Sequence, residues 1–73
     1  PPSGTADYVW GSDIYTDDSS ICTAGVHAGR ITLAEGGRVT IEIRPGQESY
    51  AASTRNGITT LSYTDYFGSF IVR

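Results

Sequence analysis

One stretch decides most of what this chain can fold into: DDSSICTAGVHAG, residues 17–29. Asp18 or Ser19 is placed to act as an N-cap, and the carboxylates of Asp17 and Asp18 suit the positive end of a helix dipole. Ile21, Cys22, Ala24, Gly25, Val26 and Ala28 then leave almost no polar side, and a helix that is apolar nearly all round is a buried one. Gly25 and the alanines let neighbouring backbone come close, and Gly29 is a natural residue to end the helix. A helix of about ten residues does not hold on its own. The rest of the chain has to wrap it.

That remainder reads as strands and turns. Tyr8-Val9-Trp10 is a short strand candidate stopped by Gly11-Ser12, and Asp13-Ile14-Tyr15-Thr16 is a second extended piece. Ile31-Thr32-Leu33 is a further short strand, followed by a turn at Glu35-Gly36-Gly37. RVTIEIR, residues 38–44, alternates with period two: Val39, Ile41 and Ile43 face a core while Arg38, Thr40, Glu42 and Arg44 face out. Pro45-Gly46 is expected to break that strand. Residues 48–53 are weakly extended around Tyr50, and Asn56-Gly57 is a tight-turn signal. Residues 58–63 and 68–73 supply the closing strands, with Leu61, Phe70 and Val72 inward. The expected fold class is α+β: a single short central helix wrapped by short antiparallel β-strands. Residues 1–7, beginning Pro-Pro-Ser-Gly, read as a tail or linker and residues 8–73 as the domain.

Composition narrows the function classes. The chain has 73 residues, room for one small domain whose stability is roughly 3–5 kcal/mol. Its single cysteine rules out an intrachain disulfide as a staple, leaving Cys22 to pack as a small hydrophobe or to pair with another chain. With 5 basic residues, all arginine, against 8 acidic ones, the net charge of -3 offers no field for a nucleic-acid backbone. No apolar run is long enough to span a membrane. Many Ser and Thr on a β-rich, lysine-free chain suit an extracellular protein.

The reactive-looking side chains each have a plainer reading. Cys22 and His27 stand five apart, so on a helix they point to different faces. A thiol nucleophile served by His27 is therefore set aside. Cys22 reads as buried and inert, and His27 as a helix-ending residue that satisfies terminal carbonyls and the dipole. Ser19 and Ser20 lack the Gly-x-Ser-x-Gly elbow and suit capping. Asp13, Asp17 and Asp18 do not follow the calcium-loop spacing. One cysteine and one histidine cannot close a tetrahedral zinc site. No catalytic residue, metal or cofactor is expected.

Two sets of residues remain as candidates for binding. Arg38 and Arg44 share a strand face and, with Arg55, would make a patch for carboxylate or phosphate, although Glu42 between them partly neutralises it. The plainer alternative is a solvated charged face. Tyr8, Trp10, Tyr15, Tyr50, Tyr63, Tyr66 and Phe67 offer ring faces suited to sugar or protein surfaces, with most of them expected in or near the core. Arg38, Arg44, Arg55, Tyr50 and Asn56 are the expected binding residues. Asp18, Ser19, Cys22, His27 and Gly29 are the expected structural residues of the helix.

The ordered set YVWGSDIYTDDSSICTAGVHAG, GGRVTIEIRPGQESYAASTRNGI and GSFIV resembles the LCCL domain family over about residues 8–72. The resemblance implies a central helix wrapped by strands in a secreted or surface-exposed, non-catalytic module. It also implies lipopolysaccharide or other microbial surface glycans as ligands. Cys22 and His27 fall on signature positions of the family's helix, and Gly46, Tyr50, Asn56 and Gly57 on its later motifs. Animal members carry an N-terminal extension whose cysteine bonds the one at the helix. Nothing before Tyr8 supplies that partner here, so the chain resembles the short, bacterial form. Its acidic charge also disfavours lipopolysaccharide phosphate.

The expectation is an extracellular recognition or adhesion module, with surface glycan or protein as partner. The alternative is a structural subunit of an extracellular assembly or filament, self-associating through an N-terminal tail that contacts a neighbour.

Overall fold

A computed structural model describes residues 8–32 and 34–73. The expected tail at 1–7 and Leu33 lie outside the described residues. The elements are β1 (Gly11–Ser12), β2 (Ile14–Thr16), α1 (Ile21–His27), β3 (Ile41–Gln47), β4 (Thr54–Arg55), β5 (Ile58–Thr59) and β6 (Tyr66–Val72). Four strands form an antiparallel sheet in the order β1-β2-β6-β3, and β4 and β5 form a separate hairpin. The α+β class and the single short helix are as the sequence predicts.

The helix lies against one face of the sheet because its small residues allow it. Tyr15 and Phe70 stand opposite each other in the β2–β6 register, and both are buried with Val9 and Ala24. Ile41 and Val72, paired across β3 and β6, pack against that cluster. Thr23 through His27 are all buried, while the first turn is not: Ile21 is exposed and Cys22 half-buried. The expectation of a buried Cys22 is corrected accordingly, because Cys22 lies in the helix's first turn, ahead of the buried run from Thr23 to His27. Gly25 is needed where it is, since a Cβ there would stand 2.7 Å from the Val39 Cγ2.

The helix start differs from expectation. The N-cap is Ser20, whose Oγ accepts the Thr23 amide at 3.3 Å. Ser19 is buried instead, accepting the Trp10 amide at 3.0 Å and bonding the Thr16 hydroxyl at 2.9 Å. Asp18 lies two residues before the cap, and the first turn contains no acidic residue. The Ser-Ser pair divides the work: one hydroxyl fastens the preceding loop, the next caps the helix. We expect Ser20→Ala to cost about 1 kcal/mol of stability, the usual loss for a missing cap. Asp18→Ala should stay within about 0.5 kcal/mol, as an exposed substitution. Urea denaturation of both variants reads the difference, and equal losses would count against the assignment. The C-terminal end agrees with the sequence, with Ala28 as C-cap and Gly29 at φ 81° beyond it.

Strand β3 departs most from its pattern. It runs through Pro45-Gly46 to Gln47 rather than ending before them. The reason is its position at the edge of the sheet. Thr40 O accepts from the Arg73 amide, so by alternation residues 42 and 44 point their backbone groups at β6 and residue 45 points away. The missing N–H of Pro45 therefore costs no ladder bond. Gly46 then comes so close to β6 that a Cβ would overlap the Tyr66 carbonyl oxygen.

Ile43 shares the core-facing side with Phe70, yet it is 68% exposed, with nothing among the described residues covering it. Leu61, expected inward, is also largely exposed. It contributes backbone instead: Gly11 N donates to Leu61 O at 3.0 Å and Leu61 N to Val9 O at 2.8 Å. β5 ends at Thr59, and Tyr63 pairs singly with Tyr50. Ile31-Thr32 forms no strand, only a bridge from Thr32 to Gly36.

Candidate functional site

The His27 ring is deeply buried, 1% exposed. Its role differs from the expected one. Its side chain does not satisfy helix-end carbonyls; the His27 carbonyl itself accepts from Asn56 Nδ2 at 2.9 Å. Asn56 (φ 52°) and Gly57 (φ 80°) form the left-handed corner of the β4–β5 hairpin. That corner is thus pinned to the end of α1.

The imidazole joins a directed chain of hydrogen bonds. Ser12 Oγ donates to Ala51 O at 2.8 Å. Having spent its one proton, it accepts from Ser53 Oγ. Ser53 then accepts from His27 Nε2 at 3.1 Å. The ring's other nitrogen, Nδ1, is left to accept from the Tyr15 hydroxyl at 2.8 Å. Burial first, and the Arg55 charge in the same direction, lower the His27 pKa; a hydrogen bond to the Ser53 backbone and the Asp13 charge oppose them. Burial also raises the Tyr15 hydroxyl. Ser53, His27 and Tyr15 resemble a nucleophile, base and orienter in outline, but the proton runs the wrong way. His27 gives a hydrogen to Ser53 and has no lone pair aimed at it. The chain locks β2, α1 and the 51–53 segment together.

A second arrangement faces solvent. Tyr66 and Phe67 open β6, and their rings stack with centroids 4.9 Å apart. Tyr63 meets Tyr66 edge-on at 5.7 Å, and Tyr8 lies 6.2 Å from Trp10. Phe67 is 82% exposed, and Tyr8 and Tyr63 are exposed as well. An open cleft of about 630 Å³ is lined by Gly46, Gln47, Glu48, Asp65, Tyr66 and Phe67. A smaller hollow of about 170 Å³ lies on the other side of Tyr66, between Trp10, Thr16, Asp18 and Tyr63. Five of the chain's eight aromatic residues are gathered in this region. Partial burial first, then the charges of Asp18 and Asp17, raise the Tyr66 hydroxyl pKa.

The cleft is propped from below. Tyr50, buried in the core, accepts the Gln47 amide at 3.0 Å and donates to Tyr66 O at 3.3 Å, joining both walls. Its backbone exchanges two hydrogen bonds with Tyr63, at 2.9 and 3.1 Å.

The expected binding residues are dispersed by comparison. Arg44, on β3, pairs with Glu42, which also takes Arg73 at 3.2 Å. Arg55, on β4, pairs with Asp13 at 2.6 Å, which raises its pKa. Arg38 is exposed in the segment before β3. Asn56 is engaged with His27. The aromatic residues are offered by the sequence as ring faces but assigned mostly to the core, and the gathering of Tyr8, Trp10, Tyr63, Tyr66 and Phe67 is what the structure adds. Tyr63, Tyr66 and Phe67 fall within five residues, more ring surface than the core of so small a domain takes in. Among the described residues, no three His, Cys, Asp or Glu side chains gather to hold a metal.

The sequence of this fold matches a known family model, described as LCCL domain, over residues 2–70. The chain belongs to the LCCL domain family. It is 38% identical to human vitrin over 74 residues, covering 97% of this chain and 11% of that protein. Guinea-pig (Cavia porcellus) cochlin is 39% identical over 64 residues, 88% of this chain and 12% of that protein. Human cysteine-rich secretory protein LCCL domain-containing 2 is 43% identical over 54 residues, 74% of this chain and 11% of that protein. The chain thus spans about a tenth of the length of these relatives. They are secreted, extracellular, non-enzymatic proteins, which puts this LCCL domain in a secreted or cell-surface setting. Among its described residues no helix is long and apolar enough to cross a membrane.

Proposed function

We propose that this LCCL domain is a non-enzymatic extracellular recognition or adhesion module that holds surface glycan in the cleft around Tyr66. One observation carries the reading: the stacked pair of Tyr66 and Phe67, with Phe67 almost bare to solvent, forms one wall of an open cleft. A ring left bare in a domain with so little core to spare is a costly use of apolar surface. Flat exposed rings receive the apolar faces of sugars, while Gln47, Glu48 and Asp65 supply hydrogen-bonding groups for hydroxyls. Tyr50 belongs to this reading as the prop beneath the cleft. Arg38, Arg44, Arg55 and Asn56 remain candidates for a separate polar contact, with less support because Arg44 and Arg55 each have an acidic partner.

A glycan array probed with the full chain tests the proposal. Phe67→Ala should weaken retained glycans about ten-fold, the worth of one stacked ring. Its fold should be unaffected, since the ring is exposed. No binding by the unaltered protein at high concentration would end the glycan reading.

The structural-subunit alternative is favoured by one observation, the outer edge of β3, where Ile41 and Ile43 have no further strand beside them among the described residues. The tail contact proposed with it involves residues outside the described ones. Light scattering over a concentration series tests this alternative, and a monomer throughout would count against it.

A further inference from the structure

The charges around the aromatic cleft are distributed unevenly. Of the chain's eight acidic residues, Asp13 and Glu42 are paired with arginines. Glu48 and Asp65 line the main cleft, and Asp18 lines the smaller hollow across Tyr66. Asp17 is held beside them: its amide donates to Gly68 O at 3.0 Å, and its carboxylate lies against the Gly68 backbone so closely that a Cβ there would overlap it. All four carboxylates are on exposed residues, and none makes an ion pair among the described residues. No arginine lines either hollow. Four of the chain's eight acidic residues are therefore gathered beside the bare rings.

We propose that the cleft around Tyr66 selects glycans bearing protonated amino groups, the stacked Tyr66–Phe67 pair receiving the sugar face and Glu48 and Asp65 receiving the ammonium. This rests on the glycan reading and adds the ligand class to it. A carboxylate beside a ring makes two attractions for one cation, the ion pair and the interaction with the ring's negative face. The same field repels sulfated, phosphorylated and carboxylated glycans. A neutral sugar keeps only the stacking and hydroxyl contacts. The cleft is open to solvent, which suits a ligand larger than a small cation enclosed on all sides.

Titration calorimetry with the full chain tests the proposal, using a glucosamine hexamer and its N-acetylated counterpart in one mildly acidic, low-salt buffer. The amine-bearing hexamer should bind about ten-fold more tightly, the combined effect of two exposed ion pairs. That advantage should fall to within about two-fold in the double variant Glu48→Gln/Asp65→Asn, and also at high salt, which screens exposed pairs. Phe67→Ala should weaken both hexamers. Equal binding of the two hexamers would overturn the charge selection and leave the glycan reading standing. Binding of neither would overturn both. Binding of a lysine hexamer where neither sugar binds would overturn both in favour of a basic protein segment.

Discussion

Phe70→Ala should leave this domain largely unfolded at physiological temperature. Phe70 is 1% exposed and sits at the centre of the sheet, opposite Tyr15 on one side and Ile43 on the other. Its ring lies 5.6 Å from that of Tyr15 and completes the cluster with Val9 and Ala24. Removing a buried phenylalanine ring costs about 3–5 kcal/mol. A domain of this length has roughly that much stability in total. The two figures meet, so the variant has almost no margin. Leu61→Ala makes the contrast, since its side chain is 42% exposed and its contribution is mainly backbone; it should lose about 1 kcal/mol or less. Thermal unfolding by circular dichroism separates them. A cooperative Phe70→Ala transition within a few degrees of the unaltered protein would show that this core is not where the stability lies.

The contrast between Phe70 and Leu61 also marks what the sequence could reveal. Both were expected inward from local alternation. Phe70 is buried because two strands flank it and α1 covers its face; Leu61 lies where pairing is a single bridge. Alternation tells which side a residue faces and nothing about what covers that side. Ile43 makes the same point from a strand: its side was right, its cover was absent. Gly29 and the Asn56-Gly57 corner were legible because a left-handed backbone is a local demand that few residues meet.

The candidate site was legible only in part for the same reason. The rings around Tyr66 come from residues 8–10 and 63–67, and Tyr50 ties Gln47 to Tyr66 through its hydroxyl. No local rule brings those segments together. What joins them is the β6 pairing with β3 and the Trp10–Leu61 and Tyr50–Tyr63 bridges, all long-range. The arginines looked more promising because their neighbours in sequence are visible and their partners in space are not. Asp13, which occupies Arg55, is 42 residues away from it.

His27 gives the remaining large effect, a loss of stability in mild acid. The unfolded chain protonates an imidazole at about pH 6.5, whereas burial lowers the pKa of the folded one. Between those two values the unfolded chain binds more protons, so stability rises with pH there. The His27 contribution is complete above about pH 6.5 and diminishes as the pH falls from there towards the folded pKa, below which this source adds no further loss. The structural reason is visible in the bonding. Protonation puts a second N–H at Nδ1, facing a Tyr15 hydroxyl that is already donating to it. Tyr15 has to reverse its bond, and its own proton must find another acceptor inside the core, at the expense of a buried hydrogen bond. The charged groups nearest the ring, Asp13 and Arg55, have opposite signs and are paired with each other, so they do little to offset this. Urea midpoints between pH 5 and 7.5 should therefore fall on the acid side for the unaltered protein and stay level for His27→Gln. The ring's own titration, followed by NMR in the unaltered protein, keeps the test independent of whether that variant folds well. A midpoint at or above 6.5 would mean that the buried chain from Tyr15 to Ser12 does not hold His27 in its neutral form.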